Sequence, residues 1–502
     1  MRVRGHTVRW MSFPWPAAAV VACSFAFASP RGVAASEAPS AAAISYAVSF
    51  AAGEQRAQVE LIVPPGHAAF VMWNGASPDE RSRHVIGLRA RTADGAVVPV
   101  RYEPQAARWD VEVAADKPLR IAYDVELGYL RSLPQWARLQ NGFFEGSDLY
   151  LVTKSLFVVP DSLDSSLAAS VRFRLPRGAA VIAPWTPVAG ETESFEAPLR
   201  SLANDTIDVG SMPVVVFRQG GFDVNVVLFG AMRRYEKLVR RVAVRSLAAY
   251  TTLFAGTPRA RFVFTAALGD EDGQAFDDSG AISTAAPVPG ENEPIWANTI
   301  AHELFHFWNG RRIKPNSRRL QAITEGFTEY YANRTLLRTG IIDASTYWQI
   351  AARHLGAYSY FWFSPNYNVS LIDAGLNKTK NRFGVYDGGW TLALCVDLEL
   401  RRSSGGRRTL DNVMRVLWTR FGRRGVAYSY ADFVDALTTA AGHDFGPFAG
   451  RYLVGTDELP YRADLASLGV HAYTETFGGK VYLVVKPHSA SERRAYARFI
   501  GR

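Results

Sequence analysis

Two histidines four residues apart, with a glutamate next to the first, give this sequence one kind of chemistry. His302-Glu303-Leu304-Phe305-His306 closes a run, Ile295 to Ala301, whose apolar spacing is helical. On a helix, residues i and i+4 share a face. Both imidazoles can therefore grip one metal ion while Glu303 projects beside the open coordination position. A second carboxylate, Glu325, follows His306 with 18 residues between them, early in the next predicted helix. Two antiparallel helices joined by residues 311–319 would bring it against the histidine pair. Two His and one Glu leave the fourth position of a zinc ion open, as in catalytic rather than closed structural sites. Such an ion lowers the pKa of water from about 16 to about 7, and a neighbouring carboxylate completes the deprotonation. These residues point to metal-assisted hydrolysis with one Zn2+ per chain.

Other residues are open to two readings. Glu329 lies one helical turn after Glu325. It either accepts a hydrogen bond from a ligand histidine and fixes its tautomer, or belongs to a solvated helix face. His67, His84, His354, His443, His471 and His488 are scattered without ligand spacing and read as surface or satisfied core residues. The aromatic cluster Tyr358-Ser-Tyr-Phe-Trp-Phe363 is dense enough to line a cleft, with core packing the simpler explanation. Cys395, in the apolar run Trp390 to Val396, reads as a buried small hydrophobe.

The blocks His302-Glu-Leu-Phe-His-Phe-Trp-Asn-Gly310, Arg311-Arg-Ile-Lys-Pro315 and Glu325-Gly-Phe-Thr-Glu-Tyr-Tyr331 resemble the glycyl aminopeptidase family of zinc metallopeptidases. These are gluzincins, with a thermolysin-like catalytic domain. The resemblance runs over about residues 44–465. Met72-Trp-Asn-Gly-Ala-Ser-Pro78 looks like a variant of the family's Trp-Ser-Pro-Gly turn, and Gly455-Thr-Asp-Glu-Leu-Pro-Tyr461 is similar to the segment closing its catalytic domain. The resemblance implies that His302, His306 and Glu325 bind zinc. It makes Glu303 the residue that takes a proton from the attacking water and delivers it to the leaving amine. An oxyanion needs a donor besides the metal. Tyr386, in Gly384-Val-Tyr-Asp-Gly-Gly389, matches the tyrosine that related gluzincins place before a helix, although Asp387 and Gly388 replace the usual acid–lysine pair.

The resemblance also carries departures. Aminopeptidases of this class bind the substrate amine with a Glu on a Gly-rich edge strand. The corresponding stretch, Gly269-Asp-Glu-Asp-Gly-Gln-Ala-Phe-Asp-Asp-Ser-Gly280, lacks that motif. Asp277 or Asp278 is the substitute anchor, with a solvated acidic loop as the alternative. Family members often continue into a PDZ domain. About forty residues after Tyr461 are too few for a complete one, and strand-like Val481 to Val485 suggests a hairpin on the catalytic lobe or a truncated module.

The elements that must position these residues follow a β-then-α order. Residues 47–50, 58–63, 96–102, 119–125, 170–175 and 212–217 are rich in β-branched and aromatic residues and separated by turn formers. They predict an N-terminal antiparallel β-sandwich or saddle over 44–218. Strands at 224–229 and 260–268 flank a helical stretch, 232–254. Helical spacing then predicts helices at 294–309, 319–338, 344–358, 388–402, 409–421, 430–441 and 446–453, with Asp343 and Ser429 as N-caps and Gly340 and Gly422 as stops. The fold class is α+β: the β domain followed by a thermolysin-like, mainly helical zinc-peptidase domain with a small β-sheet over 219–462, and a short C-terminal extension, 463–502.

The composition is globular. Of 502 residues, 48% are hydrophobic and 12% aromatic, which excludes a disordered chain. The net charge of +9 comes from basic residues dispersed along the chain, 48 of 56 being Arg. No dense basic stripe of the nucleic-acid-binding kind is present. Residues 1–28 combine the basic Arg2, Arg4 and Arg9, an apolar stretch from Pro14 to Phe27 and the site Ala26-Phe27-Ala28. They read as a signal peptide, followed by a linker over 29–43, and predict a periplasmic or secreted protein without a transmembrane segment. Val20-Val-Ala-Cys23 is a looser lipoprotein box, although the residues after Cys23 stay apolar, which suits lipidation poorly.

The leading expectation is an exported zinc aminopeptidase acting on short peptides with small N-terminal residues. The alternatives are a zinc endopeptidase with no amine anchor and a non-catalytic binding protein on the same fold. The sequence leaves oligomeric state open.

Overall fold

The computed structural model describes residues 44–51, 55–72, 82–112, 117–161, 167–258, 261–367, 369–475 and 479–501. The expected signal peptide, the linker and all but Met72 of the expected turn over residues 72–78 lie outside them.

Alternation of buried and exposed side chains builds the N-terminal region. In Arg56–Val63 the residues Ala57, Val59, Leu61 and Val63 face inward and their neighbours outward. This strand runs antiparallel to Leu119–Glu126 along its whole length, from Arg56 opposite Glu126 to Val63 opposite Leu119. They form the middle of an eight-stranded sheet, accompanied by two four-stranded sheets around a common core. One pair departs from the antiparallel expectation: Ile44–Phe50 runs parallel to Ala168–Arg174. The predicted strand 96–102 is split into Val97–Val98 and Val100–Glu103 at Pro99, which has no N–H for a ladder bond.

A five-stranded sheet follows, in the order Val214–Gln219, Phe222–Leu228, Arg261–Leu268, Ser279–Thr284, Asp272–Ala275. Phe222–Leu228 and Arg261–Leu268 are parallel, which requires a long crossover. The helix Glu236–Phe254 supplies it. Asp272–Ala275 is the edge strand and pairs antiparallel with Ser279–Thr284. Phe143, Tyr150, Phe229, Val263 and Phe276 pack together, joining this sheet to strands of the N-terminal region.

The helical region shares one core with the inner face of that sheet. Its central members are the motif helix, Glu293–His306, and the glutamate helix, Gln321–Arg338. Both are buried on nearly every side, as expected of helices inside a large core. The glutamate helix also meets the helix Gly389–Ser403 at very close range. A Cβ on Gly326 would collide with the backbone of Gly389, and one on Gly389 with the carbonyl of Ala322. Two glycines are needed for the backbones to touch there. The helix Ala344–Phe363 is capped by Asp343 and outruns its predicted end by one turn. The aromatic cluster is its last turns: Tyr358 and Phe361 are buried, while Trp362 and Phe363 are exposed. Ser429 caps Tyr430–Ala441 as expected. The predicted helix 446–453 is a short turn, Gly446–Ala449, continued by a π turn, Gly450–Val454. At the C-terminus a hairpin of Val470–Thr474 and Val481–Val485 precedes a helix, Ala490–Ile500, that the sequence reading missed. Phe499 stacks on Trp348 and docks that helix on the lobe.

Candidate metal centre

The i, i+4 spacing brings the two imidazoles together as expected, with His302 Nε2 and His306 Nε2 3.0 Å apart. Glu325 Oε2 lies 3.5 Å from the first and 3.3 Å from the second. All three residues are buried, and they are the His/Asp/Glu group found suited to a metal ion among the described residues. Donors about 2.0–2.2 Å from a tetrahedral centre stand about 3.4 Å from each other, so the three separations fit one ion. The hydrogen bonding fits as well. His302 Nδ1 is 2.8 Å from Glu329 Oε2, and His306 Nδ1 is 3.0 Å from the carbonyl of Asn309. Each Nδ1 faces an acceptor and so carries the proton, leaving both Nε2 lone pairs aimed at the carboxylate. Three converging electron pairs need a cation. A proton is the smallest that can serve: burial pulls His302 down, but hydrogen bonds to Glu325 and Glu329 outweigh it and lift its pKa to about 10.

Glu325 is held by its other oxygen, Oε1, which accepts from Lys378 Nζ at 2.8 Å. Burial opposes its ionisation, yet Lys378 and the histidines hold it well below the usual carboxylate range. Glu303 lies between the metal group and the edge strand. A Cβ on Gly273 would strike its carboxylate, so glycine there is what lets the strand approach. Burial raises the Glu303 pKa against the pull of His302 and His306, which suits a group that must take up a proton and release it.

Glu329 takes the buried one of its two readings. Besides His302, it accepts from Asn298 Nδ2 (2.9 and 3.1 Å) and lies 3.3 Å from His354 Nε2. Asn298 precedes His302 by one helical turn, a spacing the sequence displays and the reading did not use. Tyr386 is on the π turn Gly384–Gly388, just before the helix Gly389–Ser403. Its ring lies 6.3 Å from that of His302 at an interplanar angle of 29°, and Lys378 Nζ is 5.0 Å from its centroid. Single π turns of this kind recur at functional sites.

Asp277 and Asp278 are a correction. Asp278 is buried in an ion pair with Arg312, and Asp277 Oδ1 accepts from Asn204 Nδ2 at 2.9 Å. Both acids tie the turn after the edge strand to its neighbours and do not face the metal group. The acid of this stretch whose charge interacts with Glu303 is Asp272. It lies on the edge strand within the electrostatic reach of Glu303 and Lys378, and burial lifts its pKa to about 7.

Lys378, His354 and Asp272 were missed. None stands at a fixed offset from the motif, and only tertiary packing brings them in. Cys395 is buried as expected. No helix of the described residues is long and apolar enough to cross a membrane.

Comparison with known proteins agrees with the resemblance. Residues 296–364 match the M61 glycyl aminopeptidase family, and residues 75–200 match the peptidase M61 N-terminal domain. No curated protein matches the sequence. Among solved structures, the chain is similar to the crystal structure of an aminopeptidase N family protein from Idiomarina loihiensis. The TM-score is 0.73 over 89% of this chain and 82% of that one, at 19% identity, a likeness of fold.

Proposed function

Since this chain carries the glycyl aminopeptidase domain and the N-terminal domain of peptidase family M61, we propose that it is a zinc aminopeptidase acting on short peptides. The observation that carries the reading is the convergence of His302 Nε2, His306 Nε2 and Glu325 Oε2 within 3.0–3.5 Å. Two imidazoles and one carboxylate are a zinc donor set that leaves a coordination position open. A zinc ion held there supplies Lewis acidity, polarising the scissile carbonyl and making water nucleophilic near neutral pH.

The chain's own residues supply the rest. Glu303, beside the donor set, accepts the proton of the attacking water and returns it to the leaving amine. Its raised pKa favours that return. Tyr386, facing His302, donates its phenolic proton to the developing oxyanion. Burial and the Glu325 charge keep that phenol protonated. Asp272–Ala275 is the edge strand of its sheet among the described residues, and an extended peptide pairing along it would take over the Gly273 N–H from the Asp272 carboxylate and the Ala275 carbonyl from Arg311. Asp272 on that strand offers a carboxylate to the peptide's terminal ammonium, which supports cleavage at the N-terminal bond. The catalytic unit corresponds to residues 219–462, and the leader over 1–28 directs the chain out of the cytoplasm.

Two measurements test the reading. Glu303→Gln keeps one zinc per chain by metal analysis while activity falls by about 10²–10⁴. The wild type cleaves an aminoacyl chromogenic substrate, and N-acetylation of that substrate abolishes cleavage. Cleavage of the blocked form alone replaces the aminopeptidase with an endopeptidase, and full activity in Glu303→Gln refutes the mechanism.

A further inference from the structure

Behind the metal group runs a second line of titratable side chains to which the peptidase reading gives no task. Glu329, whose Oε2 holds His302, presents Oε1 to His354 Nε2 at 3.3 Å. His354 Nδ1 in turn lies 2.7 Å from Asp387 Oδ1. An imidazole with a carboxylate at each nitrogen donates from both and is an imidazolium. Burial works against that charge, and the two carboxylates overcome it, lifting the pKa to about 9. Arg353, the preceding residue, feels the same two charges. The ring of Trp390 stacks on His354 at 4.8 Å and 19°, fixing the plane in which it bonds.

The three partners come from three elements. Glu329 is on the glutamate helix, His354 on Ala344–Phe363, and Asp387 on the π turn immediately after Tyr386. A π turn has poorer backbone geometry than the helix it interrupts and persists where its surroundings hold it. Asp387 is held at both ends: its carbonyl accepts from Thr391 Oγ1 at 2.8 Å, and its carboxylate binds His354.

We propose that His354 is a positioning residue, bonded at both ring nitrogens, that locks the carboxylate orienting His302 to the turn carrying Tyr386 and so holds the metal ligand and the oxyanion donor in register. The inference rests on the zinc-peptidase reading. A role in charge neutralisation alone would affect stability without acting through Tyr386.

The test uses the full chain, with zinc affinity read by competition with a chromophoric chelator and turnover of an aminoacyl substrate read alongside. His354→Gln is expected to weaken zinc binding about tenfold, as loss of a group orienting a ligand does. Asp387→Asn disturbs only the Tyr386 end. It is expected to lower kcat about tenfold with KM and zinc affinity within about twofold of wild type, and it keeps the proposal falsifiable if His354→Gln fails to fold. In a Tyr386→Phe background Asp387→Asn is expected to cost less than about threefold in kcat, because the turn then has no donor to place, while the zinc-affinity loss of His354→Gln persists. A full, additive kcat loss for Asp387→Asn in that background, or an unchanged kcat in folded, zinc-loaded Asp387→Asn, overturns the proposal. A wild type that takes up no zinc removes the peptidase reading itself, whereas a zinc-loaded, active wild type with an additive Asp387→Asn loss removes only this inference.

Discussion

Asp272 carries the consequence that divides the two kinds of peptidase. Its carboxyl is lifted to about 7 by burial next to Glu303. In the free enzyme it therefore ionises only as pH rises through that value, and an ammonium needs it ionised. Consequently kcat/KM for a free-amine substrate falls as pH drops below about 7 in the wild type. Asp272→Asn raises KM for that substrate about 10–100-fold, the range expected when a buried charge partner is lost, and flattens the acid limb of the pH profile. Equal KM changes for the amine and its N-acetylated counterpart would sink the assignment. Of the acids in Gly269–Gly280, the sequence reading chose Asp277 and Asp278. Which acids face the cleft depends on the register of Asp272–Ala275 against Ser279–Thr284, and a one-residue slip turns every side chain to the other face. That register is set by pairing and packing that the local sequence does not display. The motif residues were legible for the opposite reason: His302 and His306 are placed by the helix repeat, and Glu325 needs only two helices in contact.

At the scale of elements, the site depends on how closely the glutamate helix meets the helix after Tyr386. Gly326 follows Glu325 directly, and its missing Cβ lets Gly389 close to backbone contact. Ala is favoured over Gly inside a helix by about 1 kcal/mol, so propensity alone predicts that Gly326→Ala stabilises. The contact predicts the reverse. The methyl group has to push the two helices apart, at a net cost of about 1–3 kcal/mol, and it moves Glu325 relative to the histidines. Thermal unfolding and chelator competition should therefore show a lower Tm and weaker zinc binding together. A raised Tm with wild-type zinc affinity would mean that the helices yield without cost. Both helices were legible from their period, and their close contact was not, because the reason for it sits on two glycines 63 positions apart. The helix Ala490–Ile500 escaped notice for a related reason. Its sequence is largely polar, and of its residues Phe499 and Ile500 are the ones buried against the lobe.

For the whole molecule, the junction between the N-terminal region and the five-stranded sheet sets a buried polar pair beside the apolar cluster that joins them, and one of its groups responds to pH. Asp208, on Thr206–Gly210, is fully buried and accepts from Thr265 Oγ1 of the central strand at 2.8 Å. Its other oxygen, Oδ1, is buried with no hydrogen-bond partner among the described residues. Burial, only partly offset by the Thr265 bond, raises its pKa to about 8 from an ordinary value of 3.8. The folded chain thus binds a proton that the unfolded chain releases between those values. Stability contributed by this group is complete below the lower value, falls as pH rises through the window and levels off above about 8. Between about pH 5 and pH 8 the loss amounts to roughly 2–4 kcal/mol. Asn has the shape of the protonated acid and still accepts from Thr265, so Asp208→Asn should match the wild type near pH 5 and exceed its stability by that amount near pH 8. Urea unfolding at the two pH values, with zinc saturating, reads the difference. An equal change at both would show that the wild-type carboxyl is already ionised at the lower pH, and that the junction tolerates a buried charge.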